Sequence, residues 1–127
     1  MSMYAMLFFK DDYDVSTTTP ASIDPSGSSV YGQNLPRSWD ELNATAKKLR
    51  VTEPESFRVD EDGDEAWHPI AKGLKTFEAL AKHYGEPPAS GAKWKPKDGI
   101  AWDVKVFAAV LREAQAAGET EFHIQIY

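Results

Sequence analysis

Cysteine is absent from the 127-residue chain, which excludes disulfides, thiolate-bound zinc, iron–sulfur clusters and a thiol nucleophile. Histidine is scarce. His68, His83 and His123 are the three present, and their scatter matches no close-spaced ligand pattern such as H-E-x-x-H. Neither a metal nor a cofactor is therefore expected. Apolar runs are short: no stretch approaches the ~20 residues of a membrane span. Met3–Phe9 is apolar, but no basic region precedes it and Asp11-Asp12-Tyr13-Asp14 follows, unlike a secretion signal. Cytoplasmic residence is the expectation. Positive charge is also short, with 14 Lys+Arg against 20 Asp+Glu, net −6. That balance disfavours nucleic acid and anionic membranes as partners. Walker, G-x-G-x-x-G and G-x-S-x-G motifs are all missing.

What is present reads as one domain over residues 1–127, a length that buries a core without staples. Met3–Phe9 reads as a strand, apolar on both faces and therefore central in its sheet. Residues 10–37 form a long loop rich in Ser, Thr, Pro and Gly. Three helices follow. The first starts at a capping box, Ser38 with Glu41; Trp39, Leu42, Ala46 and Leu49 make its stripe, and Pro54 marks its stop. The second carries Ile70, Leu74, Phe77, Leu80, Ala81 and Tyr84 on one face, a Glu78–Lys82 pair on its surface, and Gly85 as its C-cap. The third runs from Asp98 to Gly118; Ile100, Val104, Phe107, Val110, Leu111 and Ala114, widened by Trp102 and Val106, make it the most buried. A weak strand is expected at Ser56–Asp60. The alternation of Phe122, Ile124 and Ile126 with Glu121, His123, Gln125 and Tyr127 is a half-buried strand. The fold class is α+β: a small mixed sheet including the N-terminal and C-terminal strands, packed on one side by three helices.

Charge is unevenly spread. Residues 1–70 carry 6 basic and 13 acidic groups, and residues 71–127 carry 8 and 7. Glu53–Glu65 holds seven acids, Glu53, Glu55, Asp60, Glu61, Asp62, Asp64 and Glu65, against Arg58 alone. An acidic edge of this kind steers a basic partner. Asp60-Glu61-Asp62-Gly63-Asp64 opens like a calcium-binding EF-hand loop, but Glu65 stands where that loop needs glycine and Ala71 where it needs its bidentate glutamate. An acidic turn is the simpler reading.

His68, between Trp67 and Pro69, is the histidine best suited to acid–base work, although a loop histidine with a carboxylate partner explains it as well. His83 falls in the last turn of the second helix, and His123 on the polar side of the last strand. Asp103 projects into the apolar arc of the third helix, where a carboxylate needs a hydrogen bond or a charge partner; the helix dipole near its first turns favours it. Lys93-Trp94-Lys95 is a basic, aromatic-interleaved stretch that could contact a ligand or phosphate.

Three functions compete. The first is an acidic protein-interaction module, of inhibitor or immunity type, binding a basic partner surface through Asp60, Glu61, Asp62, Asp64, Glu65 and Trp67. The second is a small enzyme or ligand-binding domain with a pocket near Asp103, His68 and the Lys93–Lys97 loop. The third is an assembly subunit, with no oligomeric state legible. Binding is favoured over catalysis, since no catalytic signature is present.

Overall fold

Alternating residues build the sheet, and the order of its strands differs from the expected one. In the computed structural model, residues 5–10, 38–59, 66–85 and 96–126 are described. Strand β1 (Ala5–Phe9), β2 (His68–Pro69) and β3 (Glu121–Ile126) form a sheet of order β1-β3-β2. The ladders are antiparallel, with Leu7 opposite Ile124, Phe9 opposite Phe122, and His68 opposite Phe122 on the other side. Among the described residues the one parallel element is an isolated bridge between Arg58 and Ile124. Thus β3, not β1, is central among the described strands. Apolarity on both faces misled here, because one face of β1 enters the core and Phe8 on the other meets His123 at 5.8 Å.

Helices α1 (Trp39–Lys48), α2 (Ile70–Tyr84) and α3 (Pro96–Ala116) supply the other layer. Leu7, Phe9, Phe122 and Ile124 join Trp39, Leu42, Leu74, Phe77, Leu80, Phe107 and Leu111 in one core. The expected stripes are the buried ones. Four phenylalanines, Phe57, Phe77, Phe107 and Phe122, are completely enclosed, each worth roughly 2–3 kcal/mol in transfer from water. Phe77 meets Phe107 edge-on at 5.4 Å, tying α2 to α3. From Ile100 to Leu111 only Trp102 and Lys105 are more than marginally exposed, so α3 is the most buried helix as expected.

Close approach of α2 to β3 needs a residue without a side chain. At Gly73 an added Cβ would lie 2.3 Å from Cζ of Phe122, with Leu111 Cδ1 next at 3.4 Å. Thr76, fully buried one turn on, donates its hydroxyl to the carbonyl of Thr52 at 2.7 Å.

Helix ends depart from the sequence expectation in informative ways. Ser38 makes no side-chain cap, and the capping-box glutamate, Glu41, instead accepts a hydrogen bond from the Tyr84 hydroxyl at 3.3 Å. A tertiary partner has outcompeted the local one. α1 stops well before Pro54: Arg50 takes a left-handed φ of 60°, while Arg50 N–H bonds Lys47 O and Val51 N–H bonds Ala46 O. That is a Schellman motif with arginine where glycine is usual. α3 ends the same way on Gly118, with Glu119 N–H to Ala114 O at 2.9 Å. It begins at Pro96, so Asp98 is a first-turn acid instead of the cap. On α2, Glu78 pairs with Arg112 of α3 at 3.4 Å in place of Lys82. Residues Pro54–Phe57 form a 3-10 turn, which replaces the weak strand expected from Ser56 onward except at the Arg58 bridge.

Candidate functional site

β3 carries side chains of different character on its two faces, and the sequence around residue 60 is fastened to it from both ends. Before that segment, Val59 N–H donates to Ile124 O at 2.9 Å. After it, His68 pairs opposite Phe122, and Ile70 N–H donates to Thr120 O at 2.9 Å. Asp60, Glu61, Asp62, Asp64 and Glu65 themselves lie outside the described residues, as do Lys93, Trp94, Lys95 and the loop beyond Lys10.

The two described acids of the charged stretch are engaged by the fold. Glu53 Oε1 is 3.6 Å from Lys47 Nζ, and Glu55 Oε1 is 3.9 Å from Arg58. Glu55 also accepts the Trp39 indole N–H through Oε2, while its backbone N–H donates to Asn43 Oδ1 at 3.1 Å. The surface ion pairs contribute little each; their effect is to fix the chain leading into the acidic run.

On the sheet face turned away from the core, three rings line up across the strands. The Trp67 indole stacks on His123 at 4.2 Å with planes 24° apart, and Phe8 lies on the other side of the same imidazole. His123 is only 4% exposed, and its Nε2 is 3.1 Å from Gln125 Nε2. Trp67 and Phe8 are half-buried. One row along, Lys10 Nζ pairs with Glu121 Oε1 at 3.3 Å. The sequence put His123 on the polar side of its strand, which is the correct face. Its burial required knowledge of the β2–β3 register that brings Trp67 against it.

His68 occupies the opposite, core-facing side. Its ring meets Phe57 edge-on at 5.5 Å, and Phe57 in turn contacts Phe122 at 5.0 Å. The buried Nε2 of His68 makes no hydrogen bond among the described residues. Burial pushes the imidazole below its ordinary pKa, the Lys72 ammonium pushes the same way, and Glu121 opposes them. The expected carboxylate partner thus acts only at longer range.

Asp103 is buried at 4% exposure, as its helical position implied, and is engaged by a polar or charged partner. It is not among the groups acting on His68. His83, exposed in the last turn of α2, contacts the Tyr84 ring.

Among the described residues, no three His, Cys, Asp or Glu side chains are grouped to hold a metal ion, and no helix is long and apolar enough to cross a membrane. No protein-family model matches the chain, nor does any curated protein or solved structure.

Proposed function

We propose that this chain is a non-enzymatic protein-interaction module that offers Asp60, Glu61, Asp62, Asp64 and Glu65, flanked by Trp67, to a basic surface on a partner protein. An inhibitor or immunity-type role is the form of this reading that the charge favours. The observation that carries it is the double attachment to β3: Val59 is hydrogen-bonded to Ile124, and His68 is paired opposite Phe122 two residues away. A segment whose ends are already held loses less conformational freedom on binding than a free acidic tail, so more of its electrostatic attraction is kept as affinity. Concentrated negative charge then accelerates and orients encounter with a cationic face. Support for binding over catalysis comes from His68, whose neighbours are Phe57, Lys72 and Glu121, and not the Asp103 carboxylate that joint acid–base work would need within hydrogen-bond reach.

The test is capture from a lysate of the source cells by the immobilised chain, with mass spectrometry of what is retained. A basic protein held by the wild type should fall about tenfold or more with Asp60→Asn/Asp62→Asn/Asp64→Asn, equivalent to about 1.4 kcal/mol of binding. The melting temperature should stay close to wild type. Equal capture by the triple variant would remove the acidic segment from any role in binding.

A further inference from the structure

His68 is built into the fold in a way that a proton should undo. It sits in a strand of two residues, β2. Its ring is set against Phe57, and its Nε2 is buried without a hydrogen bond. A neutral imidazole tolerates that position, because one ring nitrogen can remain a bare acceptor at moderate cost. An imidazolium is penalised there, since both nitrogens then carry N–H and the charge at the buried Nε2 is desolvated beside Phe57. The charged groups facing it decide little in its favour. From α2 comes Lys72, which repels the cation. From β3 comes Glu121, which attracts it but whose Oε1 is already held by Lys10. The 3-10 turn presents apolar Phe57, with Arg58 beyond it occupied by Glu55. His123 lies on the other sheet face, against Trp67 and Phe8.

We propose that His68 is an acid-operated latch: when its Nε2 takes up a proton, β2 and Trp67 detach from β3 while the helical layer and the β1–β3 ladder stay folded. The separation is physically reasonable because the stretches differ in what holds them. β1 pairs with β3 over five residues, and α2 with α3 through fully buried phenylalanines; β2 has two pairs and one following backbone bond to Thr120. Short, lightly bonded stretches open first. The sign follows from the direction of the shift. The folded pKa lies below the unfolded value of about 6.5, so the attachment is fully supported above that value and is lost as pH falls through the folded pKa.

Hydrogen exchange by NMR, corrected for intrinsic rates, tests this on the wild-type chain. The amide of Ile70, which bonds Thr120, reports β2; those of Lys10 and Phe107 report the β1–β3 ladder and α3. Between pH 7.5 and 5.5 the opening measured at Ile70 should rise by up to about tenfold, the limit set by protonation in the open state alone. Lys10 and Phe107 should not follow. His68→Phe, which keeps the ring and loses the titration, should abolish the rise, with His68→Gln as a second non-titrating variant should the first not fold. Lys72→Met should weaken it, and His123→Phe should leave it in place. A pH-independent Ile70 in the wild type, an undiminished rise in both His68 variants, or a parallel rise at Lys10 and Phe107 would each overturn the latch.

Discussion

Two positions show how much one residue's backbone or bulk decides here. Arg50 holds a left-handed conformation that costs an L-residue with a side chain about 1 kcal/mol or more, and its side chain is exposed. Arg50→Gly relieves that strain at some cost in unfolded-state entropy. Thermal unfolding should show a net gain of about 0.5 kcal/mol, roughly 2 °C in Tm. Gly73 is the opposite case. Alanine is the better helix former by about 1 kcal/mol, but its Cβ would overlap the Phe122 ring, which is fully buried and has nowhere to go. Overpacking of this kind costs roughly 1–3 kcal/mol, so Gly73→Ala should lower the denaturant midpoint. Neither effect could be read from the sequence. Arg50 carries no turn signal, and a glycine inside a helical stripe looks like a weakness until the strand that crosses it is known.

At the scale of elements, the apolar stripes were legible because they depend on a period that each helix carries within itself. Ile70 to Tyr84 is the clearest case, down to Gly85 with its φ of 80° closing the helix. What escaped were the choices between a local and a distant partner: Glu41 leaves its capping box for Tyr84, and Glu78 leaves Lys82 for Arg112. Those choices bind elements together, and two are open to measurement. Thr76→Val removes the hydroxyl that ties α2 to Thr52 and should cost about 1 kcal/mol, seen as a lower urea midpoint with an unchanged slope. Tyr84 joins α2 to Glu41 and Thr45 of α1. Burial raises its pKa above the ordinary 10, the Thr45 hydrogen bond lowers it, and Glu41 raises it further. Its contribution is therefore complete below pH 10 and is lost as pH rises through the folded value. Stability measured between pH 8 and 12 should decline less steeply in Tyr84→Phe than in wild type.

Across the whole molecule, β3 is the member on which the others depend, since β1, β2 and the Val59 amide all bond to it. Its pairing of Ala5 with Ile126 spans nearly the full chain, whereas α2 and α3 meet through residues close in sequence. Distant pairings close late because their loop entropy must be met first. In stopped-flow kinetics, Phe77→Leu should therefore slow folding, while Ile124→Val, expected to cost about 0.5–1.5 kcal/mol, should chiefly speed unfolding. Composition and alternation were enough to expect an α+β fold with Phe122 and Ile124 of the last strand facing the core, but not that His123 on its other face is buried as well. They gave no means of seeing that Trp67 would lie on His123, because that contact depends on a register between strands more than fifty residues apart. The double fastening of the acidic run to β3 has a consequence for engineering. A connection whose two ends are fixed at neighbouring points on one strand tolerates changes in length cheaply, each doubling costing only about 0.6 kcal/mol of closure entropy. Between Val59 and His68 the chain thus offers a natural display position, where foreign peptides of varied length and charge can be carried with their two ends held on Ile124 and Phe122.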